Sequence, residues 1–543
     1  MRPLDWAVMV LTLTAIISYG LWRARGAATT DSYLRAGKTM PWYAMALSIM
    51  ATQASAITFI STTGQGYVDG MRFVQFYFGL PLAMIVVCLT AVPIFHRANV
   101  YTAYEYLEKR FDAKTRTLVS IIFLIQRGLA VGLALAAPAI VLTVLLGWPD
   151  QITTLVMGVI VITYTVLGGV KAITWTDFQQ MLIMMAGLGT ALIMAINLLP
   201  EGIGLTGALT VAGAAGKLNP VTTDFSWTDR YNIWSGLFGG MFLALSYFGC
   251  DQSQVQRYLT GSSITQSRLS LLFNAVAKIP MQFLILLTGT VVFAFFTFIQ
   301  PPLLFHPGDM AKLKADPAYP ALQQKFDNAF RQRHESAAKM VHGEPTREEF
   351  KSAQRDIDDT RKQAAKITGG NDTNYIFLHF VTNYLPPGIV GLVIAAILGA
   401  AMSVISGEVN SLATVSVIDI YKRLLRPVAE DGHYLWVSRA FTAFWGVYAV
   451  VTAQFAKNLG SLVEAVNLLG SFFYGGILGV FALAMYFPKV GANGAFIGVL
   501  AGEAAIFALH FTGAASFLWY NVAGCIVVIL TGNLVSRLTA RTP

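Results

Sequence analysis

Charged residues are scarce in this sequence. Asp, Glu, Lys and Arg together make up 12% of its 543 residues, whereas 55% are hydrophobic. A soluble chain of this length carries about 25% charged residues and divides into several domains. The composition therefore excludes an ordinary set of soluble domains. The net charge of +9 does not indicate nucleic-acid binding, because the Lys and Arg residues fall in short loops.

Cysteine and histidine are also rare. Cys88, Cys250 and Cys525 all lie in apolar segments and form no CxxC pair, so we expect buried thiols and no disulfide. The seven histidines lie mostly in loops, with no HExxH or nucleophile motif. We therefore expect no catalytic residues and no enzyme activity.

Long apolar runs are abundant and recur from one end of the chain to the other. Each can cross a hydrocarbon core of roughly 30 Å as a helix. We predict an all-α polytopic membrane protein with about thirteen transmembrane helices, numbered helix 0 to helix 12. The predicted spans, in order, are 4–22, 41–66, 73–95, 117–146, 151–168, 172–199, 231–258, 267–299, 387–424, 434–456, 461–487, 491–511 and 514–536.

The loops alternate in charge. The loops after helices 0, 2, 6 and 8 are rich in Lys and Arg, whereas "GWPDQ" and "HFTGAAS" on the opposite side have none. The positive-inside rule then puts the N-terminus outside and the C-terminus in the cytoplasm of what we expect to be a bacterial plasma membrane. Residues 4–22 lack a clear basic n-region and cleavage site, so we expect a retained helix. The charged segment 300–372 is predicted to form a helical hairpin outside.

Helix 1 is predicted to be interrupted within the membrane. Thr52, Gln53, Ser55 and Thr58 fall within two turns, where a lipid-facing helix would carry leucine. One or two such hydroxyls commonly bond back to helix carbonyls. Four polar residues together favour a locally opened helix around a binding site.

Helix 6 carries a second predicted interruption, where Gly249 precedes Asp251 and Gln252. Two interrupted helices five spans apart are typical of transporters built from inverted repeats, which bind substrate and ion near the membrane midplane. We therefore predict a 5+5 inverted repeat in a single transporter domain. The first repeat is 41–199 and the second is 231–487, with helix 0 (4–22) before them and two helices (491–536) after them.

Two cations are predicted to lie close to the bilayer centre. Arg127 on helix 3 and Lys278 on helix 7 each lie about 15 Å from the cytoplasmic end of their helix. A cation at that depth costs at least about 2.5–3.5 kcal/mol. Either cation can be a structural group in an ion pair, or the two can bind an anionic or hydroxylated solute.

Asp177 on helix 5 and Ser406 on helix 8 are predicted to lie at the same depth, with Ser403 one turn higher. Asp177 lies about 8 Å inside its helix end, and Ser406 nearly 30 Å along helix 8 from the opposite side. A carboxylate with hydroxyls suits Na⁺ or H⁺. A hydrogen bond that merely joins two helices remains an alternative.

Four motifs are spread along the chain: "YTAYEYLEKRF", "YTVLGGVKAITWTDFQQ", "DQSQVQRYLT" and "AAMSVISGEVNSLATVSVIDIYKR". Together they resemble the sodium:solute symporter family, which includes sodium–glucose, proline, sialic acid and iodide transporters. The resemblance implies a LeuT-type fold and alternating access, in which Na⁺ moving down its gradient drives solute uptake.

The resemblance also implies the sodium ligands. They are the carbonyls of Ala51, Ala54 and Ala400 and the hydroxyl of Ser403. Most members have a second Ser or Thr after that serine, where this chain has Val404. A second sodium site, present in some members, would use Asp177 with Ser406. Gly407 stands where such a site can carry a further serine.

Substrate residues follow from the same resemblance. Thr58 stands where a glutamine would contact sugar, and Lys278 matches a lysine of sugar transporters. Arg127 resembles the arginine that holds the carboxylate in sialic acid transporters, and a guanidinium suits such a group. The complete set of predicted substrate-binding residues is Gln53, Ser55, Thr58, Gln75, Tyr77, Arg127, Asp251, Gln252 and Lys278.

We predict a Na⁺-coupled symporter that imports a small polar solute, with a carboxylate or acidic sugar favoured over a neutral sugar or polyol. A sodium-gated channel or transporter-like sensor is the alternative of another class, and H⁺ in place of Na⁺ is an alternative within the transporter class. The expected partners are solute, Na⁺ and membrane lipid, with no nucleic acid and no obligatory protein partner.

Overall fold

The computed structural model describes residues 1–23, 29–455 and 461–539, with the side chain of Asp150 excepted. The helices keep the numbers of the predicted spans. Their bounds are Pro3–Arg23 (helix 0), Trp42–Gln53 (1a), Thr58–Val68 (1b), Gly70–Ala98 (2), Ala113–Leu146 (3), Asp150–Asn197 (4 and 5), Ser235–Gly249 (6a), Gln252–Tyr258 (6b), Ile264–Phe298 (7), Ile389–Leu425 (8), Asp431–Ala453 (9), Leu462–Tyr486 (10), Ala492–Thr512 (11) and Phe517–Thr539 (12).

The described residues contain nine helices that are long and apolar enough to cross a membrane, and the bent pair of helix 1 makes a tenth span. One hydrophobic cluster runs from Met9 on helix 0 to Val528 on helix 12, so these helices share a core. Large apolar side chains on the outer surface, such as Leu11 and Leu530, are about two-thirds exposed. That apolar surface suits lipid. The all-α polytopic class is confirmed, while the count of thirteen remains a prediction.

Helices 4 and 5 form one long helix that is broken at Gly169. This glycine has φ 59° and ψ −168°, a conformation that L side chains rarely adopt. A Cβ there would also lie 2.7 Å from the backbone oxygen of Tyr33. The break falls between the predicted ends of helices 4 and 5, and it lets the short helix Thr30–Arg35 pack closely against it.

Both predicted interruptions are present. Helix 1a ends at Gln53, Ala54 has non-helical angles, and helix 1b leaves at an angle of 63°. Helix 6a ends at Gly249 and helix 6b begins after Asp251, which caps it by accepting a bond from the Ser253 amide (2.8 Å). Each break leaves helix-end carbonyls and amides without their usual partners, which is how membrane proteins build polar sites at depth.

The charged segment forms the predicted helical hairpin, from helices Tyr319–Val341 and Arg347–Thr368. Apolar residues between the two helices, such as Phe326 and Ile357, form a core of their own. Arg333 anchors the hairpin to helix 7 by donating to the Phe296 carbonyl (2.6 Å). The hairpin is therefore a packed cap on that end of the bundle.

Candidate functional site

Asp177 joins helices 1a, 5, 6b and 8 at one fully buried point. The Ser403 hydroxyl donates to Asp177 Oδ1 (2.5 Å), and the Ser48 hydroxyl donates to Oδ2 (2.6 Å). Arg257 also donates to Oδ2 (2.7 Å), which makes a buried ion pair. The predicted meeting of helices 5 and 8 at this carboxylate is present, but the helix 8 hydroxyl that donates to it belongs to Ser403 and not to Ser406.

The predicted sodium ligands lie on helices 1a and 8, the two helices whose serine hydroxyls donate to Asp177. Ser403 gives its only proton to Asp177, so its oxygen lone pairs stay available to a cation. Ala51 and Ala54 lie at the C-terminal end of helix 1a, where carbonyls and the helix dipole favour positive charge. Ala400 lies one turn before Ser403 on helix 8. These hard oxygens suit Na⁺, and Asp177 holds the Ser403 hydroxyl in place.

Val404 and Ser406 add no oxygen to this group in the observed arrangement. Val404 is buried in the hydrophobic core of the bundle. The Ser406 hydroxyl donates to the Ser403 carbonyl of its own helix (3.0 Å). The shared depth of Asp177 and Ser406 therefore does not bring the two into a hydrogen bond.

Changing Val404 to Ser is expected to lower the Na⁺ concentration for half-saturation roughly three- to tenfold, equivalent to about 1 kcal/mol. The reason is that a second hydroxyl beside Ser403 completes the ligand pattern of the resembled family. Sodium-dependent thermal stabilisation of the purified protein measures this directly. Val404→Ala is the control for the lost side-chain volume. An unchanged half-saturation in the serine variant would contradict the sodium geometry assigned to helix 8.

Arg127 lies in a second buried cluster, which we call the Arg127 cluster: Arg127, Asp251, Glu408 and Tyr474. Its guanidinium donates to Glu408 (2.8 Å), to the Tyr474 hydroxyl (2.7 Å) and to Asp251. The Tyr247 ring lies 5.5 Å from the guanidinium carbon. Two carboxylates share one cation here, so the cluster has a formal charge of −1. Of the two predicted roles for Arg127, a structural ion pair or a solute-binding cation, these contacts fit the ion pair.

Lys278 differs from Arg127 because its nitrogen has no hydrogen-bond partner among the described residues. The side chain is fully buried, and Nζ lies 5.3 Å from the centre of the Tyr77 ring. Asn274 and Gln282 lie one turn before and one turn after it, both buried with unpartnered amide atoms. Helix 7 therefore presents three unsatisfied polar groups along one face.

The three substrate residues predicted on helix 1 lie at its break. Gln53 and Ser55 are partly buried, and the Gln53 side-chain oxygen has no partner among the described residues. The Thr58 hydroxyl lies 3.4 Å from the Gln53 carbonyl and donates to it across the break. Their binding of a solute remains a prediction.

Two other predicted substrate residues have structural partners. The Gln75 amide donates to the Tyr231 carbonyl (3.0 Å) and accepts from the Thr222 amide (2.8 Å), which fixes the loop before helix 6a. The Gln252 side chain donates to the Tyr101 carbonyl (2.9 Å) and accepts from the Ala103 amide (3.0 Å). Both side chains therefore join segments of the backbone.

Helix 6b is attached to its surroundings by polar contacts from three of its residues. Gln252 binds the loop before helix 3, as above. Gln256 donates to the Leu34 carbonyl (2.7 Å) and to the Asn410 side chain on helix 8 (3.0 Å). Arg257 binds Asp177. Helix 6b is therefore hydrogen-bonded to helices 5 and 8, to the short helix Thr30–Arg35 and to the loop before helix 3.

The end of helix 8 is fixed by a further network. Arg116 on helix 3 donates to Asp419 (2.7 Å) and to Glu108 (2.7 Å) in the loop helix Ala103–Arg110. Hydrogen bonds from Arg423 and Arg116 hold the pKa of Glu108 below its usual value. This network is separate from the Asp177 and Arg127 contacts.

Sequence reasoning missed Arg257, Glu408, Ser48 and Tyr474. Arg257 lies at the end of the predicted span 231–258, and it is 4% exposed. Glu408 lies within the predicted span 387–424, and the sequence does not pair it with Arg127. The available signal was charge balance, since a cation at membrane depth requires an acid on a neighbouring helix.

Comparison with known proteins gives a family match. The model of the sodium:solute symporter family matches residues 33–330 and 360–502, and the interval between them falls in the helical hairpin. The sodium/sialic acid symporter NanT of Aliivibrio fischeri is 27% identical over 98% of this chain and 93% of its own. The sodium-coupled monocarboxylate transporter 1 of Xenopus laevis is 27% identical over 92% and 70%, respectively.

A solved structure is also similar. It is the substrate-bound, outward-open state of a Na⁺-coupled sialic acid symporter, with a TM-score of 0.78 and 25% sequence identity. The alignment covers 99% of this chain and 98% of that one.

Proposed function

Because this chain belongs to the sodium:solute symporter family, we propose that the solute it imports with Na⁺ is a small organic carboxylate, acidic sugars included. Na⁺-coupled solute transport is the activity of the family. The observation that carries the choice of solute is the unpartnered nitrogen of Lys278. A buried cation without a partner is costly, and a ligand carboxylate would supply one.

Lys278 supports this proposal better than Arg127 does. Arg127 already contacts two carboxylates and a tyrosine hydroxyl, so a third anion there would meet an excess of negative charge. Lys278 has no such competitor, and the free amides of Asn274 and Gln282 can hydrogen-bond the rest of a polar solute. The similar proteins that transport sialic acid and monocarboxylates agree with a carboxylate.

A neutral sugar or polyol is the second candidate. The two free amides on helix 7 would serve its hydroxyls as well as they would serve an acidic sugar. A sodium/glucose cotransporter of Vibrio parahaemolyticus is 26% identical over 92% of this chain. The charge of the solute separates the two candidates, because only an anion supplies the counter-charge for Lys278.

Helix 1 is the element through which the two binding events are coupled. The proposed sodium ligands Ala51 and Ala54 and the proposed solute contacts Gln53 and Ser55 fall in the same five residues. Na⁺ bound at the end of helix 1a would fix the backbone there, and the same backbone positions the solute-binding side chains. Each ligand therefore lowers the entropy cost of binding the other, which is positive coupling.

We place the N-terminus outside and the C-terminus in the cytoplasm of a bacterial plasma membrane. The support is the Lys and Arg content of the loops after helices 0, 2, 6 and 8. In that orientation helix 6b and the network at the end of helix 8 lie on the cytoplasmic side.

The proposal is tested by thermal shift and by uptake in proteoliposomes. Purified full-length protein is heated with monocarboxylates, acidic sugars and their neutral analogues, in NaCl and in choline chloride. We expect stabilisation by acidic solutes in Na⁺ and none by the neutral analogues. Uptake of the best ligand against its gradient then separates a symporter from a channel or sensor. Stabilisation by neutral sugars alone would overturn the choice of carboxylate.

Asp177→Asn is expected to raise the Na⁺ concentration for half-saturation at least about tenfold, equivalent to about 1.4 kcal/mol. The amide cannot balance Arg257, and it no longer accepts two hydroxyl bonds in the same way. Sodium-dependent thermal stabilisation provides the measurement.

Asp419→Asn is the matched control, because Asp419 is an equally buried aspartate paired with Arg116. This variant should lower the free energy of unfolding and leave the Na⁺ concentration for half-saturation unchanged. If Asp177→Asn keeps the wild-type Na⁺ concentration for half-saturation, Asp177 does not contribute to sodium binding.

A further inference from the structure

A cavity of about 800 Å³ lies between helices 3, 9, 10, 11 and 12, at the end of the bundle where helices 9 and 11 finish. Its volume is within the range of small-molecule sites, which is about 300–1,000 Å³. Leu133 on helix 3 and Leu469 and Phe472 on helix 10 line its apolar part. The cavity can therefore hold an apolar chain of considerable size.

The cavity lies on the face of helix 10 that points away from the Arg127 cluster. Phe472 lines the cavity, whereas the hydroxyl of Tyr474 accepts a hydrogen bond from Arg127. Positions two residues apart differ by about 200° around an α-helix, so these side chains leave nearly opposite faces. None of the proposed sodium or solute residues is among the described residues that line the cavity. It is therefore a separate site.

The cavity opens toward the bilayer along helix 3. Leu129 lines the cavity and is also more than a third exposed. It continues a stripe of exposed side chains one turn apart, Ile121 and Ile125. Exposed apolar side chains on a membrane-spanning helix face lipid. An acyl chain can therefore enter the cavity directly from the membrane.

The depth of the cavity is close to that of one leaflet. Glu464 lies in the first turn of helix 10, and Phe472 lies eight residues further on, which is about 12 Å along the helix axis. One leaflet contributes about 15 Å of hydrocarbon. The lining of helix 10 therefore runs from the membrane interface almost to the midplane.

Charges of both signs lie side by side at the outer end of the cavity. Arg230 Nη1 donates to Glu464 Oε2 (2.6 Å), and the Tyr231 hydroxyl donates to Oε1 (3.1 Å). A carboxylate has about four lone-pair sites, so Glu464 can accept from a further donor. The Arg230 side chain is 54% exposed, which leaves N–H groups available to an anion.

Ser516 adds an unsatisfied hydroxyl to this end. It lines the cavity and is 8% exposed, and its Oγ has no hydrogen-bond partner among the described residues. A buried hydroxyl without a partner is costly, and a ligand in the cavity would supply one.

We propose that this cavity binds one phosphatidylethanolamine molecule from the outer leaflet. Its ammonium group donates to Glu464, its phosphate accepts from Arg230 and Ser516, and one acyl chain lies along Leu469 and Phe472. A zwitterionic headgroup matches a cation and an anion side by side, whereas an anionic headgroup would add uncompensated negative charge beside Glu464. Only the assignment of the leaflet uses the orientation proposed above.

The experiment measures lipid binding to the delipidated full-length protein in detergent by native mass spectrometry. Phosphatidylethanolamine and phosphatidylglycerol with the same acyl chains are titrated separately. We expect saturable binding of phosphatidylethanolamine, about tenfold tighter than that of phosphatidylglycerol, because only the ammonium makes a charge-assisted bond to Glu464. Equal affinity for the two lipids, or no saturable binding, would overturn the proposal. This comparison does not depend on the folding of any variant.

A variant of the apolar part locates the bound lipid. Ala465→Phe places a ring in the cavity, which Ala465 lines, and should remove one saturably bound phosphatidylethanolamine. Ala504→Phe adds the same ring to an exposed position on helix 11 and should leave binding unchanged. Wild-type binding by Ala465→Phe would overturn the assignment of the lipid to this cavity.

A variant of the polar part tests the headgroup contact. Arg230→Gln should weaken phosphatidylethanolamine binding about tenfold, because the phosphate loses a charged donor. Arg72→Gln is the matched control, since Arg72 forms a similar part-exposed ion pair with Asp229 (2.7 Å) and is not among the described residues that line the cavity. Equal binding by these two variants would overturn the role of Arg230 as the phosphate ligand.

Discussion

Replacing Arg127 with methionine is expected to lower the free energy of unfolding by about 3–5 kcal/mol. The substitution leaves Asp251 and Glu408 buried with no cation, while both carboxylates remain in the interior. Repulsion between the two acids adds to their cost of desolvation. Thermal and denaturant unfolding of the purified protein in detergent measures the loss.

The compensating variant carries Arg127→Met, Asp251→Asn and Glu408→Gln together. It removes all three charges and retains amides that can bond to each other and to Tyr474. Its stability should return most of the way to that of the wild type, because a complete ion cluster is often replaceable by neutral groups. If Arg127→Met alone unfolds like the wild type, the ion pairs seen here do not contribute to the fold.

Lys278→Met is expected to act in opposite directions on stability and on binding. Removing an unpartnered buried cation should raise the free energy of unfolding by about 2.5 kcal/mol. Methionine fills similar space with a flexible apolar side chain. Binding of the carboxylate solute should weaken roughly 10- to 100-fold, because a charge-assisted bond contributes about 1.5–3 kcal/mol. Thermal unfolding with and without solute, in Na⁺, provides both measurements.

Arg333→Met is the matched control for Lys278→Met. Arg333 is also a buried cation, but its guanidinium donates to the Phe296 carbonyl and to Gln354. Its loss should destabilise the hairpin and leave the solute affinity as it was. If Lys278→Met binds the acidic solute normally, the counter-charge for the carboxylate lies elsewhere, and the argument from Lys278 fails.

The sequence was most informative where polar residues interrupt an apolar helix. The breaks after Gln53 and after Gly249 are visible in the sequence because Thr, Ser and Asp are costly in lipid and therefore mark opened backbone. The contact of Asp177 with helix 8 followed for the same reason. A lone carboxylate near a helix end in a membrane requires partners, and Ser403 is among them.

Depth along a helix predicted contacts between side chains less reliably, because helix 8 is longer than the membrane is thick. Its 37 residues extend about 55 Å, so Ser406 lies near the middle of the helix and not near its far end. Glu408 is therefore close enough to meet Arg127 on helix 3. Counting residues from one end cannot show this, since the helix projects beyond the bilayer by an amount that packing determines.

Partners contributed by loops were out of reach of sequence reasoning. Gln75 and Gln252 are polar residues near helix ends, as solute ligands often are. Their partners, Thr222, Tyr231 and Tyr101, lie in loops that fold back onto the helices. No local pattern encodes where a loop returns, so only the assembled structure shows that these amides bind backbone.

The polar contacts of helix 6b should limit the leakage of ions without solute. Gln252, Gln256 and Arg257 contact five different segments, and each would leave a buried polar group without a partner if it were released alone. A half-detached helix 6b is therefore a high-energy state that is rarely occupied. Opening on that side should be close to all-or-none, so ions would seldom slip through unaccompanied by solute.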